Sequence, residues 1–473
     1  MEIIHISAEC YPMAKVGGLA DVVGALPKYQ TEEGHIAKVV MPMHRTKFLY
    51  DNEWETVHKG RFSMEKTAFE FTVIKESTNK LGFDLYCIDI YGLLDRENVY
   101  GYDDDTERFT AFQIAVLEWL NQWEHLPDIV HVHDHHAALI PFMMQQCFGY
   151  AKLKHIPTVL TIHNAQYQGW MQWEKAAYIP AWDTWKWGML DWDNLVNPLA
   201  CGVKCAQRVN TVSPGYMQEL TTEANGLEGL FRSEFAKCSG IINGIDFKVW
   251  DPLTDTFIMD NFSVKDADEG KALNKKKLAD DFKLDPKLPL IVFIGRLVAE
   301  KAADLLPATI KNALTAYAGK LNFLVLGTGD KTVESALVAL QNKFVGYYNT
   351  GITYNEKLSH LMYAGADFLL MPSRVEPCGL NQLYAMRYGT VPMVRRTGGL
   401  KDTVTDIDEK NGYGICFDHA SLSDIDIAVQ RAIELYADKK KMTAVRQKMM
   451  EINNSWTASA KKYIELYRSV QPK

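Results

Sequence analysis

Apolar residues in the first half of the chain fall into short runs that alternate between two periods. "EIIHISA" (2–8), "AKVVMP" (37–42), "FEFTVIK" (69–75), "FDLYCIDI" (83–90), "DIVHVHD" (128–134) and "PTVLTIH" (157–163) are short and rich in β-branched residues, which predicts strands. "LADVVGALPKYQ" (19–30) and "TAFQIAVLEWLNQW" (110–123) are longer and space their apolar residues for one helix face. The second half repeats the habit. "LPLIVFIGRL" (288–297), "LNFLVLGTG" (321–329), "KFVGYYNTGI" (343–352), "ADFLLMPS" (366–373) and "VPMVRRTGGL" (391–400) read as strands or strand ends, each followed by a helical candidate. Apolar strands alternating with helices predict buried parallel sheets covered by helices on both faces.

A polar stretch separates the halves, with turn signals at Asn243-Gly244 and Asp251-Pro252, so the boundary is placed over 243–251. At 473 residues the chain exceeds one ordinary core, which suits two large domains. "GGLADVV" (17–23) and "GGLKDTV" (398–404) agree at five of seven positions, as two similar α/β domains would allow.

Charge narrows the partners. The formal net charge is -8 and no basic block stands out, which argues against nucleic acid and against an anionic membrane surface. The opening apolar run is too short for a signal-peptide core, and no run is long enough to span a bilayer. The eight cysteines are scattered, and Cys201 and Cys205 lack a second pair at zinc spacing. Reduced thiols in a cytoplasmic protein are expected.

The polar residues that interrupt the pattern fall at strand ends, where α/β domains bind ligands. In "AKVGGLAD", Gly17 and Gly18 allow a ligand close to the backbone, Leu19 begins a helix with free first amides, and Lys15 adds a charge. Asp21 faces either the ligand or the helix dipole; a tight turn with a solvated lysine fits the same residues. No G-x-x-x-x-G-K-[ST] occurs, and "GTGDKT" at Gly327 lacks the third glycine of a dinucleotide fingerprint. In "HVHDHH" (131–136), His131 and His133 share a strand face, but Asp134 is expected to end the strand and scatter the imidazoles. Hydrogen-bonding roles are therefore favoured over zinc. His163 and Asn164 end another strand, where a structural histidine is the plain alternative. Arg296 and Lys301 sit close together after "LIVFI", suited to a diphosphate or to a surface charge pair. Glu376 precedes Pro377, with Gly379 opening a helix; a carboxylate there can grip sugar hydroxyls or cap the helix. Cys378 has no local base and is read as packing.

The order of these motifs resembles the bacterial glycogen and starch synthases, retaining glucosyltransferases of the GT-B fold. Its carriers are "KVGGLADVVGALPK", "HVHDHHAAL", "TIHNAQYQG", "NTVSPGY", "INGID", "GRLVAEKAADLL", "YAGADFLLMPSRVEPCGLNQLYAMRYGTVPMVRRTGGLKDTV" and the terminal "SWTASAKKYIELY". The resemblance implies two Rossmann-like doubly wound parallel-sheet domains facing a central cleft. These would be an acceptor-side domain over 1–245, a donor-side domain over 246–455, and a last helix over 456–473 returning to the first. It implies transfer of glucose from ADP-glucose or UDP-glucose to the 4-hydroxyl of an α-1,4-glucan, without cofactor or metal. His163, Arg296, Lys301 and Glu376 match catalytic positions. Lys15, Gly18, Tyr354, Gly379 and Leu380 match donor-binding positions, Tyr354 against the nucleotide base. Asp21, Tyr100, Asp134, His135, Asn164 and Asn243 match the substrate cleft. There are departures from the family's pattern. His135 stands where many relatives have a tryptophan that stacks on glucan. Ala302 replaces a glycine, Glu300 replaces Gln or Asp, and Tyr384 stands at the second glutamate of the wider E-x₇-E pattern. The rival readings are a sucrose- or trehalose-type transferase and a silent glucan-binding protein.

Overall fold

The computed structural model describes residues 1–471. The chain divides into two units: Met1–Ile242 joined by the segment from Trp456 onward, and Asn243–Ser455.

Among the described residues, the first unit builds one nine-stranded sheet. Its spatial order is Cys238–Gly240, Arg208–Thr211, Thr158–Ile162, Ile129–His133, Glu2–Ile6, Ile36–Pro42, Asp84–Asp89, Thr67–Glu76, Trp54–Met64. Neighbours run parallel as far as Asp84–Asp89. There the expectation of a wholly parallel sheet fails: Thr67–Glu76 runs antiparallel to both its neighbours. Only Glu65 and Lys66 separate it from Trp54–Met64, and so short a connection can only reverse the chain. Trp54–Met64 lies at the edge with most of its side chains exposed, so its sequence lacks the apolar run of a buried strand.

Helix Gly18–Glu32 contains Pro27, which leaves the Val23 carbonyl without its usual i+4 amide. The buried Cys10 thiol donates to that carbonyl at 3.6 Å. Helix Trp456–Arg468 packs Trp456, Ala460, Tyr463 and Tyr467 with Ile3, Ile129, Val159 and Ile241 of the first unit.

The second unit has a six-stranded parallel sheet among the described residues, in the order Tyr348–Gly351, Asn322–Leu326, Leu290–Ile294, Phe368–Met371, Val391–Arg395, Ile415–Phe417. Its hydrophobic core is continuous, and Asp367 is buried in the same unit between Lys275 and Arg446, each at 2.6 Å. No described helix is long and apolar enough to cross a membrane.

Register sets up the site. His5 lies opposite His131, and His133 opposite Thr161. Three strands therefore end together, and the loops beginning at Ser7, Asp134 and His163 leave from one edge, the carboxyl edge where such sheets take ligands.

Candidate active site

In the first unit the loop before helix Gly18–Glu32 is held by a residue that the sequence reading missed. Glu9 is buried, and its Oε2 accepts the amides of Val16 (2.5 Å) and Gly17 (3.0 Å). Its Oε1 accepts the Tyr100 hydroxyl at 2.7 Å. The available signal was an acid just beyond a buried strand and just before a glycine pair. Lys15 reaches Asp21 at 2.6 Å, with both side chains partly exposed, so Asp21 faces the lysine. A Cβ built on Gly17 or Gly18 meets no protein atom within 4 Å. Neither glycine is required by a positive φ or by packing; what they spare is room for something outside the protein.

The histidine strand ends form the floor. Asp134 takes a left-handed φ of 55° and its Oδ1 accepts the His163 amide at 2.7 Å. Burial raises its carboxyl from 3.8 to about 7. Asn164 caps its own turn through the Gln166 amide at 3.0 Å. The strand ends at His133 as expected, and His135 and His136 leave on a separate 3₁₀ turn, His135–Ala137. His131 and His133 point to one face with ring centroids 4.2 Å apart, and His5 from the adjoining strand joins them. The cause is register, since His5 and His131 are directly opposed and the strand has period two. Possible ligand atoms of these three residues lie within 4.8 Å of one another. The nitrogens are already committed, however: His5 to Gln30 and His133, His131 to Tyr467 and Thr161, and His133 also to His163. The set suits a hydrogen-bonded column better than a metal.

The His135 and His136 rings are tilted by 36° with centroids 3.6 Å apart, and Tyr100 stacks on His136 at 4.7 Å. The other flank of His135 is taken by Gly169, where a Cβ would lie 2.4 Å from the imidazole Cδ2. His135 is thus held between His136 and Gly169 and keeps only part of its surface exposed.

In the second unit Lys301 Nζ lies 2.5 Å from Glu376 Oε2, and Ser373 Oγ donates to the same oxygen at 3.0 Å. Lys301 closes a 3₁₀ turn, Ala299–Lys301, and the next residue, Ala302, is left-handed at φ 53°. A glycine would adopt that conformation without strain. The turn is tied to the Glu376 loop by the amides of Arg374 and Val375, which donate to the Glu300 carbonyl at 2.8 and 3.2 Å. Arg296 is mostly exposed and faces Glu300 at 3.6 Å. Gly379 has φ 76°, Leu380 caps helix Asn381–Arg387, and Tyr354 stands 82% exposed. Asn243 is buried, and its Oδ1 has no hydrogen-bond partner among the described residues.

The echoed glycine pairs both open helices, Gly18–Glu32 and Gly398–Thr403, but for different reasons. At Gly398 and Gly399 a Cβ would lie 2.1 Å from the carbonyl oxygens of Glu376 and Cys378 respectively, and Gly398 has φ 43°. The second pair lets the Glu376 loop pack against the helix start.

The starch synthase catalytic domain model matches residues 2–233, and the glycosyl transferases group 1 model matches 288–438. A glycogen synthase from Flavobacterium johnsoniae is 53% identical over 470 residues, 99% of each chain. The chain belongs to the glycogen and starch synthase family. The structure of the starch synthase IV catalytic domain from Arabidopsis thaliana, bound to ADP and acarbose, superposes with a TM-score of 0.88 at 31% identity, covering 100% of this chain and 99% of that one. Sucrose-phosphate synthase from Thermosynechococcus elongatus matches at a TM-score of 0.62 and 16% identity, with 99% of each chain covered, a likeness of fold. The two parallel-sheet domains are those of a GT-B glycosyltransferase.

Within this synthase family site, Cys378 has the chemistry of packing. It is buried, and burial pushes its thiol up to about 12. Cys378→Ser is expected to retain most of the turnover. Inactivation of a folded variant, together with a glucosyl adduct trapped on the wild-type thiol, would contradict this.

The buried histidines are expected to make the fold acid-sensitive. Burial lowers His5 to about 4 and His163 to about 3, and takes His131 and His133 well below 6.5. Below pH 6.5 the unfolded chain binds protons that the folded chain refuses. The histidines' contribution to stability is therefore complete above that pH and falls as pH drops toward their folded values, whereas Asp134, raised to about 7, contributes in the opposite direction. Each group contributes up to about 1.4 kcal/mol per pH unit in that window. Denaturant midpoints at about pH 7.5 and about pH 5 check this, and equal stability at both would contradict it.

Proposed function

We propose that the protein is a glycogen synthase that transfers glucose, with retention, from a nucleotide diphosphoglucose to the non-reducing 4-hydroxyl of an α-1,4-glucan. ADP-glucose is the preferred donor in this reading and UDP-glucose the lesser one. The observation that carries it is full-length likeness to a glycogen synthase at 53% identity. The donor choice is supported by the Arabidopsis thaliana structure, which is bound to ADP.

Breaking the glycosyl–phosphate bond builds negative charge on the diphosphate and positive charge on the sugar. Arg296 and Lys301 would neutralise the diphosphate. One Lys301 proton is already spent on Glu376, and an ammonium has two more to give. Glu376, fixed by Lys301 and Ser373, would accept from glucose hydroxyls. The open face of Gly17 and Gly18 beside Lys15 suits a sugar phosphate, and the exposed Tyr354 ring suits a base. Retention is assigned to attack from the leaving-group face. Double displacement needs a carboxylate aimed at the anomeric carbon, but Glu376 is pinned by two partners and Asp134 is engaged with the His163 amide.

Initial rates with ADP-glucose and UDP-glucose, glycogen as acceptor, test the reading with and without chelator. Faster transfer from ADP-glucose, unchanged by chelation, is expected. Transfer from neither donor would overturn the function. A UDP-glucose preference would overturn the donor assignment alone. Activity lost on chelation and restored by magnesium would overturn neutralisation by Arg296 and Lys301 alone.

A further inference from the structure

A continuous hydrogen-bonded chain runs through the core of the first unit, and its polarity can be worked out link by link. It starts at the main-chain carbonyl of Thr211, which can only accept. That carbonyl fixes the Asn210 amide, whose Nδ2 faces it at 3.4 Å, leaving Oδ1 toward Thr161 at 2.6 Å. Thr161 therefore donates its hydroxyl proton to Asn210. Its oxygen is left to accept from His131 Nε2 at 2.6 Å. A neutral His131 protonated there has a lone pair on Nδ1, so the Tyr467 hydroxyl, 2.8 Å away, must donate to it.

The polarity then passes across the core. Having given its proton to His131, Tyr467 accepts from Gln30 Nε2 at 3.0 Å. Gln30 is oriented by this, and its Oε1 accepts from His5 Nε2 at 2.8 Å. His5 Nδ1 accepts from His133 Nε2 at 3.1 Å, and His133 Nδ1 accepts from His163 Nε2 at 3.1 Å. The chain ends at His163 Nδ1, which has no hydrogen-bond partner among the described residues and is not one of the sealed, unpartnered atoms. The central histidines are fully buried, which holds them neutral and makes each pass on the polarity it receives.

Every other link lies in or beside the sheet, but Tyr467 belongs to helix Trp456–Arg468 at the far end of the sequence. Without its hydroxyl nothing orients Gln30. A reversed Gln30 amide would donate to His5 and turn every later link around, placing the last proton on His163 Nδ1.

We propose that Tyr467 is a positioning residue: acting through Gln30, His5 and His133, it fixes His163 as the Nε2–H tautomer, so that Nδ1 accepts a hydrogen bond from a hydroxyl of the donor sugar. The sugar part rests on the glucosyltransferase reading above; the tautomer part does not.

Long-range ¹H–¹⁵N spectra of histidine-labelled protein report which ring nitrogen carries the proton, without substrate. The His163 resonance is assigned by its loss in His163→Gln. In the full-length wild type, His163 is expected as a single species with the proton on Nε2. Tyr467→Phe is expected to give a mixture of both tautomers. Tyr463→Phe removes a hydroxyl from the same helix that bonds Asn210 but lies off the chain, and should leave the His163 signal unchanged. With glucosyl transfer established, kcat of Tyr467→Phe should fall about twofold or more as the accepting tautomer loses population, while Tyr463→Phe stays near wild type. A wild-type His163 protonated on Nδ1 or on both nitrogens at neutral pH would overturn the proposal, even if Tyr467→Phe did not fold. So would an unchanged single Nε2–H species in Tyr467→Phe. Correct tautomers in a protein that transfers no glucose would leave the relay standing and remove the glucosyltransferase reading instead.

Discussion

Lys301→Ala is expected to lower kcat by about 10²–10³, by analogy with loss of one preorganised donor, with a smaller effect on donor binding. The reason is timing: in the proposed reaction the leaving diphosphate gains charge as the bond breaks, so a cation beside it would act most strongly in the transition state. Arg296→Ala should fall in the same range. The structure distinguishes the two variants. Arg296 is mostly exposed and pairs with Glu300 at 3.6 Å, so its removal should leave stability unchanged. Lys301 also holds the buried Glu376, so its loss should cost about 1–2 kcal/mol of stability as well, less than a sealed pair because the lysine is partly exposed. In the proposed reaction both cations share one diphosphate, so the double variant should lose less than the product of the single losses. Folded single variants with kcat within about threefold of wild type would reduce these residues to a surface charge pair.

Gly398→Ala should be the most damaging single-methyl change at the site, and Gly18→Ala should separate folding from function. At Gly398 the new Cβ meets the Glu376 carbonyl oxygen at 2.1 Å and φ is 43°, so sterics and backbone strain add. A loss of about 2–4 kcal/mol is expected, with displacement of the Glu376 loop. At Gly18 no protein atom lies within 4 Å of the new Cβ, so the melting temperature should hardly move. If Gly18 faces substrate, donor KM should rise about tenfold or more, the cost of one misplaced contact. The measurements are a denaturation curve and steady-state kinetics on each. Equal stability of the two variants would contradict the contrast between the glycine pairs, and an unchanged KM in Gly18→Ala would remove Gly18 from the donor site.

Much of the fold is written in local pattern. The buried strands Glu2–Ile6, Leu290–Ile294 and Asn322–Leu326 are mostly apolar, with His5 and Asn322 as buried polar exceptions, because parallel strands are covered on both faces. Trp54–Met64 escaped detection because an exposed edge strand does not need that run, and the direction of Thr67–Glu76 depends on pairing with it. The site divides in the same way. Lys301 and Glu376 stand out as charged residues at strand ends, but their contact joins positions 75 apart. Glu9 shows in sequence only as an acid between a buried strand and a glycine pair; its role appears once the loop folds back, since two of its partners are backbone amides and the third, Tyr100, is distant in sequence. The histidine column is the clearest case. Adjacent histidines in "HVHDHH" advertised themselves, yet the partners that matter, His5, Gln30 and Tyr467, come from a neighbouring strand and two helices. Strand register and tertiary packing assemble them, and neither is set by local periodicity.

The central claim is elongation of an α-1,4-glucan at its non-reducing end. The most direct test is to incubate the protein with glycogen and glucose-labelled ADP-glucose, then to digest the washed polymer with an exo-acting β-amylase. The expected result is label carried by the glycogen and released almost entirely as maltose, which requires α-1,4 addition at chain ends. Failure of the glycogen to acquire label from ADP-glucose, and equally from UDP-glucose, or label that the exo-enzyme cannot release, would contradict it.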